Sequence, residues 1–153
     1  MNLDELTYKI NGCAMKVHNT LGNGFTHFVN LFFKGIRDCF AVQEVIYQRC
    51  LAIELDKASL TFQREQEHNI FYEGTYVGTR RADFVVEDTV IVELKGLINL
   101  EDVHLAQAKN YVVAYNKPIG LLINFGARSL QFKKVFNTKY NPNNPDIPKS
   151  GKS

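Results

Sequence analysis

The sequence predicts an α/β domain whose mixed sheet combines an antiparallel meander with one parallel strand after a crossover helix, flanked by helices. Three observations lead there. Two runs of β-branched and aromatic residues, Phe84-Val85-Val86 and Val90-Ile91-Val92, flank the polar break Glu87-Asp88-Thr89 and read as a hairpin. Helical spacing is legible before Lys57 and again between about 99 and 116, and the second stretch runs into the apolar segment Pro118 to Asn124. A strand, a helix and a strand over that distance imply a right-handed crossover, and so a parallel, centrally buried strand. With 153 residues and 45% hydrophobic content, the chain is long enough for one domain with its own core, expected over 1–136.

The elements follow in order. Leu3, Leu6, Ile10, Ala14, Val17 and Leu21 recur at helical spacing, and Leu21-Gly22-Asn23-Gly24 ends that helix. A Phe-rich stretch, about 26–42, reads as core filler or a hydrophobic flap. Residues 43–58 form a second helix, with Tyr47, Leu51 and Leu55 on one stripe. Glu44 falls on that apolar stripe, where a site role competes with simple favour for an acid in a first helical turn. Thr61 to Glu67 is an edge strand. Ile70-Phe71-Tyr72 and Thr75-Tyr76-Val77 then turn through Glu73-Gly74. Asn99 is expected to cap the third helix, whose core stripe is Leu105, Ala108, Val112 and Tyr115, with His104, Gln107 and Tyr111 along its edge. Leu130 to Phe136 is a last strand. From 137 to 153 Asn, Pro, Lys and Ser dominate, which marks a basic, disordered tail.

Composition narrows the setting. Three cysteines without a C-x-x-C pair read as reduced thiols of a cytoplasmic protein. The four histidines lack zinc-ligand spacing, and no run approaches membrane-span length, so no membrane partner is expected. A net charge of +2 neither argues for nor excludes nucleic acid.

The central hairpin carries the chemistry. A three-residue loop at Glu87-Asp88-Thr89 sets Val86 opposite Val90 and, counting outward, Asp83 opposite Glu93. Lys95, two residues on, projects to the same side. A two-residue loop would pair Asp83 with Val92 and break the group. Two carboxylates and an ammonium on one face suit metal-assisted phosphodiester hydrolysis, because Mg²⁺ needs only one or two protein carboxylates. The plain alternative is a surface hairpin with an ion pair.

The layout resembles the PD-(D/E)XK nuclease superfamily, and within it the GxxExxY proteins. The resemblance rests on Leu21-Gly22-Asn23-Gly24-Phe25, Gln43-Glu44-Val45-Ile46-Tyr47, Arg81-Ala82-Asp83-Phe84, Ile91-Val92-Glu93-Leu94-Lys95, His104-Leu105-Ala106-Gln107 with Tyr111, and Gly120 to Gly126. It implies a restriction-endonuclease-like core and a Mg²⁺- or Mn²⁺-dependent nuclease, with DNA favoured over RNA and a homodimer as a partner state. It also implies that Asp83, Glu93 and Glu44 ligate metal and that Lys95, with Asp83, Glu93 and Gln107, is catalytic. Tyr111, His104 and Arg81 would contact nucleic acid. In one respect the chain departs from the pattern. Thr26 to Val42 separate Gly24-Phe25 from Gln43-Glu44, an insertion that bears on where Glu44 stands. The alternative function is a catalytically inactive, nuclease-like binding module.

Overall fold

The computed structural model describes residues 1–23 and 39–144. The Phe-rich stretch up to residue 38 and the tail from 145 lie outside the described residues. Helix α1 (Leu3–Leu21) starts at a capping box in which Asn2 and Glu5 satisfy each other's backbone N–H groups. Helix α2 (Cys39–Lys57) begins four residues earlier than its clear periodicity. Strands β1 (Phe62–Tyr72) and β2 (Thr75–Val86) are each continuous where the sequence suggested shorter pieces. A register shift between Ile70 and Phe71 absorbs the irregularity, and Glu73-Gly74 turns the chain with both residues at positive φ, as expected. Then follow β3 (Val90–Lys95), α3 (Asp102–Ala114), β4 (Ile119–Asn124) and β5 (Gln131–Phe136). Glu101, two residues after Asn99, is the N-cap of α3, and its N–H donates to His104 Nδ1 at 3.0 Å.

The five strands lie in sequence order, β1-β2-β3-β4-β5. Only β3 and β4 are parallel, joined through α3; every other pair is antiparallel. Helices α1 and α2 cover one face, where Ile10, Tyr47, Leu51, Phe84, Val92, Leu121 and Phe125 form the larger core. Helix α3 covers the other, packing Val112 and Tyr115 on Val85, Ile91 and Leu122. The parallel strand β4 is buried along its whole length, as a strand covered on both faces must be.

The expected tail does not loosen at Asn137. Asn137 Nδ2 donates to Val112 O and its N–H to Pro118 O, while Asn116 and Asn141 exchange two hydrogen bonds. Composition pointed to disorder there, but these asparagines satisfy backbone groups at the α3–β4 junction.

Candidate active site

The loop between β2 and β3 has three residues: Val86 pairs with Val90 and Phe84 with Val92. No glycine is present, so Glu87 and Asp88 themselves take φ of 50° and 49°. Thr89 N–H closes the turn onto Val86 O, and Thr89 Oγ1 donates to Glu87 O. One step outward from Phe84 and Val92 the strands part at Asp83. Its carboxylate then does what a continuing ladder would do: Oδ2 accepts Leu94 N–H at 2.7 Å, and Asp83 N–H points at Glu93 Oε1, 3.4 Å away. On its other side the β1–β2 ladder skips Glu65, which takes φ 50° opposite Asp83.

Three further groups hold this opening. Gln48, one turn after Glu44 on α2 and only 5% exposed, donates from Nε2 to Asp83 Oδ1 at 3.2 Å. Its Oε1 accepts from Arg64 Nη2 at 2.9 Å, which sets the amide's orientation. Tyr115 sends its hydroxyl between the paired residues Ala82 and Gln66, accepting from Ala82 N–H and donating to Gln66 O. Glu44 Oε1 accepts Gly96 N–H at 3.3 Å, which sets Glu44 beside the end of β3. A Cβ at Gly96 would lie 3.3 Å from Gln43 Oε1 and in ordinary contact with Glu44 Cγ at 3.8 Å.

The exit from β3 is held as tightly. Asn124, fully buried at the end of β4, pairs with the backbone of Leu97 through both side-chain atoms at 2.8 Å, and Phe125 N–H reaches Lys95 O. Gly126 packs so closely that a Cβ would come within 2.5 Å of Gly96 C, Leu97 N and Leu97 O. Phe125 stacks on Tyr47 at 4.6 Å, and the Tyr47 hydroxyl donates to Gly22 O, tying α2 to the end of α1.

Electrostatics set these carboxylates apart from surface acids. Burial pushes Glu93 well above the usual glutamate range, and the adjacent Asp83 adds to the shift. Asp83 is raised by burial and held back by Leu94 N–H, Lys95 and Gln48. Burial also raises Glu44, against the pull of Lys95 and Gly96 N–H. Among the described residues no three His, Cys, Asp or Glu side chains are drawn together as a ready cage. The donor set nonetheless fits a hard divalent cation, since one or two carboxylates suffice when water fills the remaining positions. Like-charged oxygens crowded in a dry site are also what such an ion relieves.

Beside the carboxylates, α3 and β2 wall an open cleft of about 590 Å³. Lys95, His104, Gln107 and Tyr111 line it, so the chain brings together most of the residues singled out from sequence. Arg81 is not among them: it is exposed on β2, 3.9 Å from Glu65. The arginine in the cleft is Arg80, which sequence reasoning passed over, with its guanidinium 5.4 Å above the centre of the Tyr111 ring. Gln48 was missed too, although its place four residues after Glu44 put it on the same helical face.

A family model of the PD-(D/E)XK nuclease superfamily matches residues 39–135, from the start of α2 into β5. The chain belongs to the PD-(D/E)XK nuclease superfamily. The crystal structure of SSO0001 shares the fold at a TM-score of 0.53 and 17% identity, covering 63% of this chain. The present chain spans about half of that one, 52% of its length. No curated protein matches in sequence. Members of the superfamily generally use divalent metals. Among the described residues no helix is long and apolar enough to cross a membrane.

Proposed function

We propose that this PD-(D/E)XK protein is a metal-dependent nuclease that hydrolyses phosphodiester bonds, with DNA favoured over RNA, and that it belongs to the GxxExxY branch. One observation carries the reading. Asp83, Glu93 and Lys95 converge where β2 and β3 part, at the head of a cleft lined by Gln107 and Tyr111. Asp83, Glu93 and Glu44 are the side chains that would hold Mg²⁺ or Mn²⁺. When bound, the ion would supply an activated water and neutralise charge on the phosphate.

The chain's own residues do the rest. Asp83 is fixed from two sides by Leu94 N–H and Gln48 Nε2, so its oxygens are preorganised rather than free to rotate. Lys95 projects into the cleft from the strand that carries Glu93 and would stabilise charge developing on the reacting phosphate or orient the water. Gln107 and Tyr111, one turn apart on α3, support the opposite wall.

The test is cleavage of single- and double-stranded DNA, linear and circular, and of RNA, with Mg²⁺ or Mn²⁺, beside Lys95→Ala. Metal-dependent cutting by the wild type that Lys95→Ala loses while keeping its melting temperature supports the nuclease. A well-folded wild type that cuts none of these rejects it. The second reading is an inactive nuclease-like binding module. It predicts nucleic-acid binding with no melting-temperature gain from either ion.

A further inference from the structure

The cleft's charge is one-sided. Arg80 and Lys95 both face it, and neither makes an ion pair among the described residues, whereas neighbouring Arg81 has Glu65 and Lys117 has Asp88. No carboxylate is among the side chains that line it. His104 completes the set: its Nδ1 is occupied by Glu101 N–H, so the neutral ring carries its proton on Nε2 as a donor. Lys95 has Asp83, Glu93 and Glu44 close by, but Arg80 has no carboxylate partner among the described residues, and a cation so placed in a concave, half-buried site attracts an anion from solution.

Arg80 is also held in place. Its guanidinium rests over the Tyr111 ring, and Tyr111 packs in turn beside Tyr115, whose hydroxyl accepts Ala82 N–H and stands 3.2 Å from Arg80 O. Tyr115 thus anchors both the aromatic support and the strand that carries the arginine. A guanidinium preorganised on an aromatic face loses little freedom when it grips a phosphate with its planar fork.

We propose that Arg80, seated on Tyr111, is a phosphate clamp: it binds the backbone phosphate next to the one that is cut, and directs the substrate strand along α3 past His104, Gln107 and Asn110. This rests on the nuclease reading and extends it to a residue that the superfamily's motif does not include. Arg80 binds the ligand and touches no reacting atom, so it acts on affinity and register.

The test is fluorescence anisotropy of labelled oligothymidylate, alone and in duplex, across a range of KCl concentrations in EDTA, so that cutting plays no part. Arg80→Ala should weaken binding about tenfold and make the log–log salt slope shallower by about one. Arg81→Ala removes the same charge one residue away and should stay within about twofold of wild type, because its partner is Glu65. Arg80→Lys should keep the slope while recovering only part of the affinity. Equal losses in Arg80→Ala and Arg81→Ala overturn the clamp, as does weaker binding with an unchanged salt slope, which is what a packing role against Tyr111 would give. If Arg80→Ala melts early, Arg80→Lys decides: a wild-type slope supports the clamp, a shallower one rejects it. Tight binding untouched by any Arg80 variant removes the clamp and leaves the nuclease; a wild type that binds neither strand nor duplex also removes the clamp, while cutting with Mg²⁺ or Mn²⁺ decides the nuclease separately.

Discussion

Replacing Gly126 by alanine is a one-methyl test of how the end of β3 is held. The added Cβ would lie 2.5 Å from three backbone atoms, Gly96 C, Leu97 N and Leu97 O. Relaxed contacts between such atoms sit near 3.5–4.0 Å, so one segment must retreat by about 1 Å. Backbone cannot swing aside as a side-chain tip can. Leu97 is moreover pinned by Asn124, and Lys95 O by Phe125 N–H. Overpacking of this kind costs about 1–3 kcal/mol. At about 2–4 °C per kcal/mol for a chain of this size, the melting temperature should fall by roughly 2–12 °C. Because Gly96 follows Lys95 directly, the same movement displaces the ammonium, and a shift of about 1 Å at a reacting group can lower the rate about a hundredfold. Differential scanning calorimetry and the cleavage assay read the two effects separately. Gly12→Ala is the matched control: nothing lies within 4 Å of its new Cβ, and the helical gain of about 0.5–1 kcal/mol should raise the melting temperature. If Gly126→Ala melts with the wild type, the close approach is wrong and the account of how Lys95 is held falls with it.

Three other substitutions probe the site. Burial favours protonated Glu93 in the folded chain, so the stability it contributes is full below the ordinary glutamate value and is lost as pH rises through its raised one. Without divalent ions, Glu93→Gln should therefore melt higher than wild type at pH 8 and level with it at pH 4, and it should lose the stabilisation by Mg²⁺ or Mn²⁺; an equal gain at both pH values contradicts this. Gln48→Leu strips Asp83 Oδ1 and Arg64 of a shared partner and should cost about 1–3 kcal/mol in urea unfolding, with slower cutting; an unchanged midpoint would show that the amide is dispensable. Tyr115→Phe leaves Ala82 N–H and Gln66 O without the hydroxyl, so hydrogen exchange at Ala82 should accelerate while Ile91 stays protected; equal protection at Ala82 refutes the bridge.

Much of the site was written in local pattern. A three-residue break between two β-branched runs is enough to put Asp83 and Glu93 at the same end of one hairpin, and strand alternation adds Lys95. A helix between two apolar runs is enough for the parallel β3–β4 pair. Helical spacing likewise marked Glu44 and Tyr47 as sharing a stripe, and Tyr47 is buried in the core while Glu44 reaches Gly96.

What periodicity cannot report is which distant neighbour meets a given face. Arg80 and Arg81 must point to opposite sides of β2, but only the packing of α3 decides that Arg80 enters the cleft and Arg81 is left to Glu65. Gln48 and Asp83 are 35 positions apart, and Asn124 and Leu97 are 27; both pairs exist because the sheet ends beneath α2 and beside β4. The left-handed turn at Glu65 and the entry of the Tyr115 hydroxyl between β1 and β2 have no local signal at all. Local pattern is enough to say which charged groups share a strand end. Tertiary structure alone chose the uncharged groups that hold them there, because a hydrogen bond needs its partner within about 3 Å, and only the folded chain brings such distant residues that close.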